Sequence, residues 1–176
     1  KAMALPQIGV KTLNADQRST VSGSIMPKHP GQDESPMASA PVTITQIRNA
    51  TLRIDYAGTR FLVDPMLAER HSFPGFPGTL NSEESNPLVH LPLPIAEIVD
   101  VDAVILTHLH PDHWDQPARD ALPGNIPVFT QNEADAQAIR DQGFTDVRVL
   151  GADTTFGDIR LTRTSGRHGT EAHYAV

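Results

Sequence analysis

A short apolar run that leads directly into a cluster of histidines constrains this sequence more than any other feature. Residues 102–107, DAVILT, form an apolar stretch bounded by charge, the pattern of a β-strand buried on both faces. The next segment, residues 107–115, reads THLHPDHWD. A lone histidine is usually a surface residue or a hydrogen-bonded core residue, but three histidines and an aspartate at this density after a buried strand predict a metal site.

Four residues of this cluster are candidate ligands. In an extended chain, residues two apart point to the same side, so His108 and His110 are expected to aim at one point beyond the sheet. Pro111 breaks the extended segment, and Asp112 and His113 then turn toward a second point close to the first. This spacing suits two adjacent cations.

A further imidazole is expected from elsewhere in the chain, because a catalytic zinc site usually has three protein ligands and a water. His168 is the leading candidate, since it follows a predicted strand and lies between two glycines in SGRHGT. An ordinary loop histidine is the alternative at this position. The chain has no cysteine, so any metal must be held by imidazole and carboxylate, which suit zinc, manganese and iron.

Two aspartates near the cluster have two interpretations each. Asp64, in FLVDP, ends a predicted strand and either forms a turn or accepts the N–H of a ligating imidazole and fixes its tautomer. Asp115 has the same second role available, or it caps the helix predicted over 116–122. Trp114, between these groups, is expected in the core.

The rest of the pattern predicts an α/β domain. Short alternating runs predict an antiparallel meander with one buried face, over residues 42–47, 50–56 and 60–64, with a turn at 57–59. Strands and helices then alternate, which predicts helices covering a sheet: strands at 127–130, 146–150 and 158–164, helices at 115–122 and 132–142. The proline-rich stretch 65–94 is expected to be a long loop of the kind that covers a substrate.

The first 41 residues differ from the rest. Five prolines interrupt them and they show no sustained period, so we expect an extended or disordered leader, with expression-derived residues as the alternative. Such a leader could bridge subunits, which makes a homo-oligomer a candidate assembly. The domain is expected over 42–176.

Charge and hydropathy narrow the partners. The net charge of −7 argues against nucleic acid. No apolar run approaches the ~18 residues that a membrane-spanning helix needs. We therefore expect a small-molecule substrate, no nucleic-acid or membrane partner, and a cytoplasmic location, with a processed periplasmic form as the alternative.

The motif resembles the signature of the metallo-β-lactamase superfamily: His108-x-His110-x-Asp112-His113 after a buried strand, with FLVDP upstream. Together, IRNATLRIDYAGTRFLVDP, LTHLHPDHWD and GRHGT are most similar to the branch of L-ascorbate-6-phosphate lactonase-like metal-dependent hydrolases. The resemblance spans about Val42 to His168. It implies a four-layer αβ/βα sandwich, of which this chain holds the N-terminal half to two-thirds.

Carried onto these positions, the resemblance implies one divalent metal, zinc first, held by His108, His110 and His168. Asp112 and His113 would contribute to a second metal. The same pattern calls for a bridging aspartate and a further histidine ligand after His168. No aspartate follows His168 up to Val176, and His173, in a polar tail, is not expected to be a ligand. We therefore expect the remainder of the polypeptide, or another chain, to complete the fold.

The resemblance also implies hydrolysis by a metal-activated water, with Asp112 as the catalytic residue that orients the water or accepts its proton. A small lactone or ester is the first expectation for the substrate. A phosphodiesterase or nuclease on the same ligands is the second hypothesis, and the net charge opposes a nucleic-acid substrate. A non-catalytic metal-binding domain is the third.

Overall fold

A mixed six-stranded sheet organises the computed structural model, which describes residues 41–75, 77–78 and 80–164. Its strands are β1 (Val42–Arg48), β2 (Thr51–Tyr56), β3 (Thr59–Val63), β4 (Ala103–Ile105), β5 (Val128–Thr130) and β6 (Val147–Val149), and they lie side by side in chain order. The first three are antiparallel, as predicted for the meander, and β3 to β6 are parallel.

Helices and a hairpin complete the described part: α1 (Ile95–Ile98), α2 (Gln116–Ala121), α3 (Glu133–Asp141), and the antiparallel pair β7 (Thr154–Phe156) and β8 (Ile159–Leu161). Helices α2 and α3 confirm the two predicted helices. Helix α3 ends at a left-handed Gly143, with a φ of 99° that a residue with a Cβ rarely adopts. Helix α1 and strand β7 were not predicted, and β8 occupies only part of the strand predicted over 158–164.

The turn between β2 and β3 is tighter than predicted. Tyr56 pairs with Thr59, so only Ala57 and Gly58 lie between the strands, and both have positive φ, 50° and 78°. This is the conformation of the two-residue turns that match the twist of antiparallel strands. Thr59, predicted in the turn, is the first residue of β3.

The sheet separates two apolar clusters, because neighbouring residues of its central strands point to opposite faces. On the helical face, Leu62 and Val104 pack with residues of α2 and α3. On the other face, Phe61 and Ile105 pack with Phe129 and with the β7–β8 hairpin. All three residues of β4 are buried, which confirms that this strand is covered on both sides. The α/β class is confirmed.

The long loop that follows β3 is tied down rather than loose. Its first residues, 66–68, are buried. Further along, His71 N donates to Pro87 O at 2.9 Å, and Phe73 and Asn86 exchange two backbone hydrogen bonds of 2.8 Å. These bonds close the loop on itself. Whether it covers a substrate stays a prediction.

Two other expectations are only partly addressed. Residues 1–40, nearly all of the predicted leader, lie outside the described residues, so its nature and the domain boundary at 42 stay predictions. In the portion of the chain that the structure describes, no helix is both long enough and apolar enough to cross a membrane.

Candidate metal centre

The candidate site lies at the carboxyl ends of β3 and β4. These strands are parallel neighbours, so the residues that follow them emerge at the same edge of the sheet. Asp64 follows β3 directly, and its backbone N–H donates to Ile105 O at 3.0 Å. The histidine-rich segment leaves β4 within two residues of that bond. Parallel pairing thus brings together groups more than forty positions apart in the sequence.

The histidine rings of the motif are gathered around His108. Its ring centroid lies 4.5 Å from that of His110 and 3.8 Å from that of His113. Two imidazoles on one tetrahedral zinc ion, with Zn–N bonds of ~2.0–2.1 Å, have centroids about 5 Å apart. The His108–His110 spacing and the type of donor therefore suit a divalent metal, whereas the rings of His108 and His113 lie closer together than two ligands of one such ion. That Asp112 and His113 turn toward a second metal position close to the first stays a prediction.

Asp64 holds the start of the motif through three hydrogen bonds. Its Oδ1 accepts the Thr107 backbone N–H at 2.7 Å, and its Oδ2 accepts the Thr107 hydroxyl at 2.6 Å and lies 2.8 Å from His113 Nδ1. The side chain is buried, and its backbone has a left-handed φ of 45°, which aspartate tolerates better than most residues. Such a carboxylate fixes both the position and the protonated nitrogen of the ring it contacts.

Charge around His113 favours its protonated form before any metal binds. Burial lowers the pKa of His113, but the hydrogen bond and charge of Asp64 and the charge of Asp112 outweigh burial, so the pKa is raised above its ordinary value. Asp112 Oδ2 lies 3.7 Å from His113 Nε2, on the opposite side of the ring from Asp64. A metal at Nε2 would therefore replace a proton there.

Thr107 is a member of the site that the sequence reasoning missed. Its hydroxyl oxygen lies 3.0 Å from His108 Nδ1 and 3.5 Å from His113 Nδ1, in addition to its bond to Asp64. It is the residue in contact with both rings and with the carboxylate. Its only sequence signal was its place at the end of the buried run.

Asp115 caps α2, one of its two predicted alternatives. Its Oδ1 accepts the Ala118 N–H at 2.9 Å, and its Oδ2 accepts the Ala68 N–H at 2.7 Å. It therefore joins the motif to the start of the long loop. Trp114 beside it is buried, as expected, and donates from its ring N–H to Gln142 Oε1 at 2.8 Å.

The described residues supply only part of a ligand set. Within 41–75, 77–78 and 80–164, no three histidine or carboxylate side chains are arranged so as to hold a metal ion on their own. His168 lies outside these residues. The ligand roles therefore stay predictions for His108, His110, Asp112, His113 and His168, as does the orienting role of Asp64.

A cleft lies at the opposite end of the sheet from the motif. It has a volume of about 580 Å³ and is lined by the β2–β3 turn and by residues 100–102. Its cation, Arg60, is already bound by Asp55 and Asp100 at 3.0 and 2.9 Å. The cleft shares no residue with the motif, and we assign it no role.

A mixed α/β sheet with a histidine-rich motif at its carboxyl edge defines a class of metal-binding domains. Residues 43–174 match the family model of the beta-lactamase superfamily domain, and the chain belongs to this superfamily. The described sheet and its helices are the corresponding part of the metallo-β-lactamase fold. The predicted superfamily is therefore confirmed.

Two curated relatives are similar over part of their length. UPF0173 protein YddR of Bacillus subtilis (strain 168) is 53% identical over 129 residues, which are 73% of this chain and 51% of YddR. N-acyl-phosphatidylethanolamine-hydrolyzing phospholipase D 1 of Caenorhabditis elegans is 26% identical over 116 residues, 66% of this chain and 30% of that protein. The chain thus spans about half the length of YddR and less of the phospholipase.

Two solved structures share the fold at substantial identity. An isothiocyanate hydrolase from Delia radicum gut bacteria is 48% identical with a TM-score of 0.70, covering 76% of this chain and 51% of that one. A possible metal-dependent hydrolase from Veillonella parvula DSM 2008 is 42% identical with a TM-score of 0.72, covering 78% and 53%. Membership of the ascorbate-6-phosphate lactonase-like branch stays a prediction.

Proposed function

We propose that this chain carries part of the active site of a metal-dependent hydrolase, which uses an activated water on a small electrophilic substrate. The observation that supports this most is the packing of the His110 and His113 rings around His108, with His113 Nδ1 2.8 Å from the buried Asp64 carboxylate. The hydrolase names of the two solved relatives support it as well.

The residues of the site have two kinds of proposed role: metal ligand, and general base toward the attacking water. We propose that His108 and His110, with His168, hold one divalent cation, and that Asp112 and His113 contribute to a second. A cation there would supply a Lewis acid that polarises the substrate and acidifies the attacking water. Asp112 is half-buried beside His113 Nε2, a position from which its carboxylate can orient that water and accept its proton. Zinc is our first choice of metal, and manganese and iron fit the same donors.

The substrate we propose is a small ester or lactone. The name of the 48% identical relative adds isothiocyanates to the candidate substrates. The central carbon of an isothiocyanate is also an electrophile that water can attack. A phosphodiester is the second candidate, favoured by the name of the Caenorhabditis elegans relative. We propose no nucleic-acid or membrane partner, and the cytoplasm as the compartment.

The test measures metal content and hydrolysis in the intact protein. We expect about one or two zinc, manganese or iron ions per chain by elemental analysis, and His110→Ala is expected to lose more than ~90% of the metal and of the activity, because a ligand is removed. The matched control is His90→Ala, which removes an exposed loop histidine and should keep the metal content.

The substrate class is read from four probes: phenyl acetate, γ-butyrolactone, benzyl isothiocyanate and bis(p-nitrophenyl) phosphate. Hydrolysis of a carbon electrophile supports the first candidate, and hydrolysis of the phosphodiester alone supports the second. Asp112→Asn should keep the metal ion assigned to His108, His110 and His168 yet hydrolyse at least ~100-fold more slowly. Equal metal in His110→Ala and wild type, or hydrolysis that survives complete metal removal, would contradict the proposal.

A further inference from the structure

A buried arginine next to the site has no role in the function proposed so far. Arg48 is the last residue of β1, and only 3% of it is exposed. Burial lowers the pKa of its guanidinium, opposed by the charge of Asp115. Burying a charged group is unfavourable unless its hydrogen bonds are replaced. The hydrogen bonds that the buried guanidinium makes within the protein therefore indicate the role of Arg48.

The guanidinium holds both ends of the long loop. Its Nη2 donates to Met66 O at 2.9 Å and to Ala68 O at 2.6 Å, where the loop starts. Its Nη1 donates to Val89 O at 3.1 Å, where the loop returns. A planar fork with several donors can join backbone segments that are far apart in sequence, which an ammonium group does less well. Arg48 therefore fastens residues 66–68 and residue 89 to the end of β1.

Residues 64–68, at the start of the long loop, are hydrogen-bonded to both ends of the histidine-rich motif. Ala68 N donates to Asp115, which ends the motif, and Asp64, two residues before Met66, accepts from the Thr107 N–H at its start. Thr51 adds a second tie, donating to Asp64 O at 2.8 Å and accepting from Met66 N at 3.0 Å. A shift of residues 66–68 would therefore be transmitted to the carboxylate that orients His113.

We propose that Arg48 is a positioning residue: it holds residues 66–68 and residue 89 of the long loop against the motif, so that these two segments form a fixed wall of the substrate pocket. Its effect on hydrolysis rests on the function proposed above. Its effect on the loop does not, and the two are measured separately.

The loop is tested by hydrogen exchange in the intact protein, comparing Arg48→Lys and Arg48→Met with wild type. Peptides covering 64–71 and 86–91 should exchange about tenfold faster in both variants, while peptides of β4 and β5 keep their protection. Arg160→Lys, an exposed arginine of β8, is the matched control and should change neither region. Unchanged loop exchange in both Arg48 variants, or equal acceleration over the whole chain, would overturn the proposal.

Kinetics test the consequence for the substrate. On the probe that wild type hydrolyses best, Arg48→Lys should raise KM about tenfold and lower kcat less than threefold. Arg48 contacts the wall directly, whereas Thr51 and Thr107 still hold Asp64 in place. Unchanged KM together with fast loop exchange would overturn the positioning role. A wild type with no metal and no activity would overturn the proposed function, and the exchange result would still decide whether Arg48 holds the loop.

Discussion

The Thr107 hydroxyl and the Asp64 carboxylate together determine the tautomers of His108 and His113. The Thr107 oxygen lies 2.6 Å from Asp64 Oδ2 and 3.0 Å from His108 Nδ1. A carboxylate is the stronger acceptor, so the hydroxyl donates to Asp64 and its oxygen accepts the N–H of His108. Asp64 also accepts the N–H of His113. When neutral, both rings then carry their lone pair on Nε2, the nitrogen available to a metal.

Removing this hydroxyl should weaken metal binding without unfolding the protein. Thr107→Val keeps the branched shape and loses the oxygen that accepts the N–H of His108, so we expect zinc affinity to fall about 10–100-fold, whereas Thr107→Ser should stay within about threefold of wild type. Competition with a chromophoric chelator gives both values.

The control for Thr107 is Thr155→Val, which removes an exposed hydroxyl from β7 and should not change zinc affinity. Wild-type affinity in Thr107→Val would show that the hydroxyl does not set the tautomers. Equal loss in Thr107→Ser would point to packing instead.

At the scale of elements, α2 begins at a cap that serves two segments. Asp115 accepts the Ala118 N–H of the helix and the Ala68 N–H of the loop, and all three residues are buried. Asn132 caps α3 through the Asp135 N–H alone, in an exposed setting. The two caps thus differ in how many backbone groups depend on them.

Asp115→Ala should therefore cost more than Asn132→Ala. Loss of an N-cap costs about 0.5–2 kcal/mol, and an unsatisfied buried N–H adds about 1–3 kcal/mol. We expect the free energy of unfolding to fall by about 2–4 kcal/mol for Asp115→Ala and by about 1 kcal/mol for Asn132→Ala, measured by urea denaturation. Equal losses would show that the bond to Ala68 contributes nothing.

The elements that the sequence predicted are those with a period long enough to read. Alternation over β1 to β3 and the apolar run at β4 predicted those strands, and capping and glycine signals predicted α2 and α3. Helix α1 has four residues after Pro94, and β7 has three residues that exist as a strand only through pairing with β8. Strands β4 to β6 are equally short but lie in longer apolar runs that could be recognised, whereas Thr154–Phe156 has a single apolar residue.

Within the site, the residues that could be predicted are those with a local signal in the sequence. Clustered histidines can be recognised as candidates from spacing, since the residue types themselves carry the signal. The roles of Thr107 and Arg48 depend on three-dimensional contacts with residues more than forty positions away, Asp64 and Val89. Nothing in the sequence around Thr107 or Arg48 indicates these contacts.

At the scale of the whole molecule, the sheet separates the helices from the β7–β8 hairpin. Phe156 holds the hairpin against the sheet, with its ring centroid 5.8 Å from that of Phe61 and 5.6 Å from that of Phe129. The Arg148 guanidinium lies 5.6 Å from the Phe129 and Phe156 rings. The hairpin ends seven positions before His168, and we expect its attachment to the sheet to matter for that predicted ligand.

Phe156→Ala should therefore affect both stability and metal binding. Phe156 is half-buried, so we expect a loss of about 2–3 kcal/mol, below the ~3–5 kcal/mol of a fully buried phenylalanine. Leu122→Ala, which truncates a buried residue on the helical face, should cost a similar amount. If the hairpin positions His168, zinc affinity falls at least tenfold in Phe156→Ala and less than threefold in Leu122→Ala. Equal affinity in the two variants would mean that His168 reaches its place independently of the hairpin, or is not a ligand.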